Sequence, residues 1–441
     1  MTAPSVTQAE TGAAPVPAAR AALIPPAELA RLRADFPVLT RTVHGKPLVY
    51  LDSGATSQRP ETVLDTEFEF LARSNAAVHR GAHALAEEAT EAFESAREAV
   101  SGFVGRRAEE LVWTRNATEG INLVAHGLAS GAADLTLRPG DEVLVTEMEH
   151  HANLVPWQLA CARSGATLRW VGLTDEGRLR LDGPDGLAGL VTDRTKVVAF
   201  AHVSNVLGTV NPVAEIVAAA RSVGAITVLD ACQSMPHQRL DLAALDVDLA
   251  VFSAHKALGP NGIGALAGRL EVLEKLPPMN TGGSMVELVT METATFRDVP
   301  QRFEAGTQAV SQAVAWHAAV RYLSDVGMDQ IAAHEHALAA QLLAGIADLP
   351  GIRILGPAEP VDRSAAVAFA VDGVHPHDVG QYLDDAGIAV RVGHHCAQPV
   401  HRRFGVNAST RASAYLYNSP DDVDALLSSL AGVREYFGVA R

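Results

Sequence analysis

The stretch Leu249-Ala-Val-Phe-Ser-Ala-His-Lys256 decides how this chain is read. Its four leading apolar residues, rich in β-formers, predict a buried strand of a parallel sheet. The strand runs into Ser253-Ala-His-Lys256, and the chain then turns at Gly259-Pro-Asn-Gly262. A lysine and a histidine thus stand at the carboxyl end of a buried strand, where open α/β sheets bind their ligands. Upstream, Ala225-Ile-Thr-Val-Leu-Asp230 predicts a second buried strand that ends in a carboxylate. Side by side, two such strands direct an amine and an acid into one crevice. Pyridoxal phosphate (PLP) needs this combination. The lysine forms its Schiff base, and the carboxylate keeps the pyridine nitrogen protonated so that the ring acts as an electron sink.

Outward from this stretch the pattern is strand, loop, helix, repeated. Glu142–Thr146 leads to Glu149-His-His-Ala-Asn153, and Lys196–Ala201 leads to His202-Val-Ser-Asn205 and a helix over 212–222. Strands alternating with helices predict a doubly wound α/β domain. Further upstream the expectations are a helix over 29–36, a strand over 47–51, a turn at Asp52-Ser-Gly-Ala-Thr56, a long helix over 82–104 and a strand over 111–114. A helix over 121–129 follows, with Thr118 at its start, where free N–H groups and the helix dipole favour an anion. Downstream, helices over 310–325 and 331–346 precede strands at 365–371 and 388–392 that flank a helix over 379–386. The expected organisation is a disordered tail (1–20), an N-terminal segment packing on the small domain (21–47), a large domain (48–324) and a smaller α+β domain (325–441).

Composition narrows the function. The chain has 441 residues, 48% hydrophobic and 20% charged, with a net charge of −16 from 35 basic and 51 acidic residues. No basic excess exists to neutralise a phosphate backbone, so a nucleic-acid partner is not expected. Cys161, Cys232 and Cys396 are the three cysteines, with no Cys-x-x-Cys among them. That argues against a disulfide framework or thiolate cage and fits a reducing cytoplasm. No apolar run is long enough to span a membrane, and no secretory leader is expected.

Seven motifs together resemble a PLP-dependent cysteine desulfurase of the SufS-type (group II) branch, fold type I, in the class V aminotransferase family. They are Ala77-Val-His-Arg-Gly81, Thr118-Glu-Gly-Ile-Asn-Leu-Val124, Glu147-Met-Glu-His-His-Ala-Asn153, Val203-Ser-Asn-Val-Leu-Gly208, Ser253-Ala-His-Lys256, Arg302-Phe-Glu-Ala-Gly-Thr307 and Arg391-Val-Gly-His-His-Cys396. The resemblance implies an aspartate aminotransferase-like fold. It implies that Lys256 carries PLP and moves the substrate's α-proton, that Asp230 pairs with the ring nitrogen, and that Gln233 bonds the ring phenolate. His151 would stack on the ring, and Thr118, Ser253 and His255 would cradle the phosphate. Thr307 would reach the phosphate from the second subunit of a homodimer. Asn116-Ala117 stands where relatives carry Gly-Thr, which puts one hydroxyl contact to the phosphate in question. Arg411 would hold the substrate carboxylate in a planar fork that lysine cannot reproduce, assisted by Asn205. Cys396 would attack the sulfur of L-cysteine and become a persulfide, leaving alanine. A thiolate is the attacking species, so His394, His395, Arg391, His79 and Arg80 make sense as basic neighbours.

The short segment between Gly393 and Pro399 keeps such a persulfide close to the pocket. The resemblance therefore implies a small SufE- or SufU-like acceptor feeding iron–sulfur cluster assembly, with His377 a docking candidate. Selenocysteine would fit the same pocket, so a selenocysteine lyase, or another PLP lyase or epimerase of this fold, is the alternative. A metal site on His394, His395, Cys396 and His401 is disfavoured, because consecutive residues in extended chain point to opposite faces.

Overall fold

The computed structural model describes residues 23–439; the tail expected over 1–20 lies outside them. The main sheet has seven strands: β1 (Leu111–Thr114), β2 (Glu142–Thr146), β3 (Thr167–Val171), β4 (Thr195–Ala201), β5 (Ile226–Asp230), β6 (Leu249–Ser253) and β7 (Gly264–Gly268). Their order is β1-β7-β6-β5-β4-β2-β3. Pairing is parallel from β6 through to β3, whereas β7 is antiparallel to both its neighbours. Alternation along β6 sends Ala250 and Phe252 into one core layer, with Phe93 and Trp316, and Leu249 and Val251 into the other, with Ile121 and Val124. Both faces of the sheet are therefore covered. A continuous apolar run is what such a strand requires.

Two strands carry little signal in the sequence. β3 is a partly exposed edge strand, so it lacks an apolar run. β7 reads Gly264-Ala-Leu-Ala-Gly268 and has poor β-propensity. Packing selects its glycines: a Cβ on Gly264 would stand 2.6 Å from Asn116 Cα, and one on Gly268 would stand 2.4 Å from Leu249 Cδ2.

A second sheet is antiparallel throughout, with strands β8 (Ile352–Leu355), β9 (Ala366–Val371), β10 (Arg391–Gly393) and β11 (Ser409–Ser413) in the order β8-β9-β11-β10. The strand expected over 388–392 is split. Ile388–Ala389 pairs parallel with Val49–Tyr50, while β10 pairs with β11. The strand expected at 47–51 therefore lies outside the main sheet. Preceding it, the Ile24 N–H donates to His334 Nδ1 and Arg33 pairs with Asp422 at 2.7 Å. These contacts tie residues 23–47 to the two long helices, Met328–Ala347 and Pro420–Tyr436, that flank the second sheet.

The long helix spans Ala84–Phe103 and buries Ala89, Phe93, Ala96 and Val100 at helical spacing. Arg97 is buried with them. Its guanidinium forks onto Glu304 at 2.6 and 2.9 Å, and the same carboxylate accepts the Trp113 N–H at 2.8 Å. Removing one partner of such a pair leaves an uncompensated buried charge. Arg97→Met is therefore expected to cost about 3–5 kcal/mol, read as a lower urea midpoint at unchanged m-value.

Candidate active site

β5 and β6 are parallel neighbours, with Asp230 level with Val251. The chain leaves β6 through a 3-10 turn, Ala254–Lys256, and both charged ends open into one cavity of about 240 Å³. Lys256, Asp230, Gln233, Ser253, His255 and Thr118 line it. So do Arg391, Arg411, Asn205, His395 and Cys396. Most of the residues singled out from sequence are thus brought together.

Several exact placements depend on local backbone. Asn116 caps the helix Ala117–Ser130 by accepting the Glu119 N–H, and the Ala117 N–H donates to Ser253 Oγ at 2.9 Å. Thr118 is the second residue of that helix, where unpaired N–H groups favour an anion. Asp230 Oδ1 accepts the Cys232 N–H, and Gln233 Nε2 donates to the Gly54 carbonyl.

The ring histidine needs correction. His150, not His151, lines the cavity. His151 opens the 3-10 turn His151–Asn153, donates its N–H to the Cys396 carbonyl at 2.6 Å, and accepts the Gln398 N–H at Nε2. It braces the cysteine segment instead. The turn decides which of two adjacent histidines faces inward, and no pattern in Glu149-His-His reports the turn.

His79 and Arg80 are not brought to this cavity within the chain. His79 sits at a φ of +71° with its ring 2.8 Å from Glu94, and Arg80 is exposed. Thr307 is also elsewhere, exposed in a separate hollow beside Arg115 and Asn280.

Arg411, on β11, is 2% exposed. Nη1 donates to the Asn205 carbonyl at 2.8 Å, Nη2 donates to Asp52 Oδ1 at 3.2 Å, and Asn205 Nδ2 donates to the His395 carbonyl at 2.6 Å. Asp52 was not legible as a site residue, since nothing in a turn sequence links it to a strand 359 positions away. Burial raises its carboxyl above the ordinary range, against the pull of Arg411 and Arg391.

Among the described residues, Arg411 Nε and His395 Nδ1 are buried without a hydrogen-bond partner. Orphaned polar atoms at a cavity are the kind a bound molecule satisfies. With the helix N-terminus, the buried acid and the lysine, the donor set fits PLP and an amino-acid carboxylate.

Cys396 is exposed, whereas Cys161 and Cys232 are buried. Burial pushes the Cys161 thiol up to about 11 and the Cys232 thiol higher still, the latter with help from the Asp230 charge. Cys396 and His395 are consecutive left-handed residues, at φ values of +56° and +48°. The extended-chain argument against consecutive metal ligands therefore fails on geometry. Instead, His395 Nε2 and His401 Nε2 each lie 2.9 Å from the Ser409 hydroxyl.

Burial lowers His150, His202 and His255 to about 4, with the Lys256 charge adding to the effect on His150 and His255. The sign follows. Below the unfolded histidine value of about 6.5 the unfolded chain takes protons that the folded chain refuses, so stability falls as pH drops from there toward 4. The expected slope is at most about 1.4 kcal/mol per pH unit per histidine, checked by urea midpoints near pH 7 and near pH 5.5.

Comparison with known proteins follows the same lines. The family model for class V aminotransferases (described as Aminotransferase class-V) matches residues 49–426. The chain belongs to this family, whose cofactor is PLP. It is 54% identical over 415 residues to a protein named probable cysteine desulfurase 2 of Mycobacterium leprae, covering 94% of this chain and 98% of that protein. It is 51% identical to a probable cysteine desulfurase of Streptomyces coelicolor, covering 92% and 97%. Among solved structures it matches the cysteine desulfurase CsdA of Escherichia coli at 37% identity and a TM-score of 0.83, covering 92% of this chain and 98% of that one. A cysteine desulfurase from Thermococcus onnurineus matches at 36% identity and a TM-score of 0.85, covering 91% and 98%.

Proposed function

We propose that this protein is a cysteine desulfurase of the SufS-type branch. It converts L-cysteine to L-alanine and leaves the sulfur on Cys396 as a persulfide, destined through a SufE- or SufU-like acceptor for iron–sulfur cluster assembly. The observation that carries this reading is an exposed cysteine on the wall of the cavity that holds Lys256, Asp230 and Arg411, while the other two cysteines are buried.

PLP, when bound, supplies an electron sink for the substrate's α-carbon. Lys256 holds the cofactor and moves the α-proton, Asp230 keeps a proton on the ring nitrogen, and Gln233 bonds the ring oxygen. His150 takes the ring-face role expected of His151, and its neutrality suits it to apolar contact. Thr118, Ser253 and His255 receive the phosphate. The Arg411 fork takes the substrate carboxylate, with Asn205 beside it. The Cys396 thiolate attacks the substrate sulfur: an S–S bond forms, the C–S bond breaks with its electron pair going to carbon, and that carbon is protonated to alanine. Arg411 and Cys396 line the same cavity, which brings the substrate carboxylate and the sulfur acceptor to one site.

A homodimer completes the site, with Thr307 serving the neighbouring phosphate. Support comes from a hairpin, Val286–Val289 and Ala294–Phe296, that exposes Leu288, Val289 and Met291 in one chain. His377 stands exposed in the first turn of the helix Pro376–Asp385, available to an acceptor. Among the described residues no helix is long and apolar enough to cross a membrane, and three unpaired cysteines suit the reducing cytoplasm. The deciding assay measures alanine and sulfide from L-cysteine with and without acceptor, with selenocysteine as the rival substrate. Failure of the acceptor to accelerate turnover or to take up persulfide would leave a free-standing lyase.

A further inference from the structure

A chain of hydrogen bonds behind the cavity fixes a proton position inside it. Ser409, on β11, is buried, and its hydroxyl stands 2.9 Å from both His401 Nε2 and His395 Nε2. His401 Nδ1 lies 3.1 Å from the Ala397 carbonyl, which can only accept, so that nitrogen carries the proton. Burial holds His401 below the ordinary histidine range, so the ring is neutral at neutral pH and its Nε2 is bare. The bare nitrogen accepts the Ser409 hydroxyl. The Ser409 oxygen must then accept from His395 Nε2–H, which leaves His395 Nδ1 as an unprotonated acceptor. Burial, and after it the Arg411 charge, lowers His395 to about 2 and keeps this ring neutral too.

That acceptor has no partner. His395 is 4% exposed and lines the cavity with Cys396, Arg411, Asp230 and Lys256, and its Nδ1 makes no hydrogen bond among the described residues. A buried acceptor left unpaired is costly, and the cavity is where a donor can reach it. Cys396 does not supply one: adjacent residues of a helical turn, left-handed here, do not face each other. In a bound L-cysteine the carboxylate donates nothing and the amino group is engaged by the cofactor. The thiol S–H is the donor that remains. We propose that His395 Nδ1 accepts the S–H of the substrate and so holds the substrate sulfur in place beside Cys396. The proton stays on sulfur, and no covalent bond is made or broken by this contact. The role deepens the reading of the cavity as a cysteine desulfurase site and rests on it.

The test uses PLP-loaded Cys396→Ser protein, whose serine cannot take up the sulfur, as the parent. The probes are L-cysteine and L-α-aminobutyrate, in which a methyl group replaces the thiol. Dissociation constants come from changes in the cofactor's absorption spectrum and from thermal shift, independently of turnover. Adding His395→Leu is expected to weaken cysteine about three- to tenfold relative to aminobutyrate, the scale of one neutral hydrogen bond. An asparagine carries its amide oxygen as many bonds from Cα as Nδ1, whereas a glutamine carries its amide as many bonds away as Nε2. His395→Asn is therefore expected to return the cysteine preference to within about twofold of the parent. His395→Gln, which can keep the Ser409 contact, is not. A merely structural role exercised through Ser409 predicts the reverse order of rescue.

An unchanged ratio in His395→Leu overturns the proposal, as does an asparagine variant that rescues no better than the glutamine one. Should His395→Leu fail to hold PLP, the other two variants carry the test. Asparagine must then exceed glutamine in cysteine preference by about threefold or more, and a smaller difference refutes the role. A parent whose cofactor responds to both probes, with no dependence on His395, loses only this inference. One whose cofactor responds to neither loses the functional reading with it.

Discussion

Lys256→Ala is expected to abolish desulfuration, by at least about 10³-fold, the scale contributed by a positioned proton-transfer group. The lysine leaves β6 through the turn Ala254–Lys256, beside the buried Asp230 on β5. No other lysine lines the cavity among the described residues. A neighbouring amine therefore cannot take over either the covalent link to the cofactor or the proton at the substrate's α-carbon. PLP can still be held without the link, because Thr118, Ser253 and His255 remain in the cavity. The measurement that separates the two roles is borohydride reduction followed by peptide mapping. Wild type should carry the reduced cofactor on Lys256, and the variant should carry none. A variant that retains the same adduct on another residue would show that the assignment is wrong.

The second large effect falls on Cys396→Ser. L-cysteine should still change the cofactor's absorption, since Lys256, Asp230 and Arg411 are untouched. Persulfide should disappear and alanine formation should drop by more than about 10²-fold, because a serine hydroxyl is not ionised near neutral pH and a thiolate is the nucleophile. Neither remaining cysteine can substitute. Cys161 is buried in the helix Val155–Ser164, away from the cavity lining. Cys232 reaches the lining, but burial and the Asp230 charge hold its thiol in the protonated form. Mass mapping of labelled persulfide decides the matter, and sulfur found on Cys161 or Cys232 would refute the role of Cys396. Selenocysteine decomposition is expected to survive better, as selenium leaves without a protein thiolate.

Local sequence determined much of this protein. The apolar runs of β5 and β6 are buried on both faces, so their composition carries the fold class, and the residues that close each run line the cavity. Lys256 and Cys396 could be picked out as cavity residues because each closes a short motif, and Asp230 because it ends a buried apolar strand.

Contacts distant in sequence decided the rest. The glycine-rich β7 has no strand signal and forms by antiparallel pairing with β1 and β6, while Asn116 and Leu249 leave no room for side chains at Gly264 and Gly268. The inward histidine is His150, since a 3-10 turn rotates the pair. His79 is held by Glu94, and Thr307 stands in a different hollow, although both belong to motifs that suggested the pocket. Asp52 became part of the site only when the turn after the Val49–Tyr50 strand was laid against β11. A carboxylate in a turn is usually solvated. Its meaning here comes from two arginines made neighbours by strand register, which no stretch of sequence near Asp52 encodes.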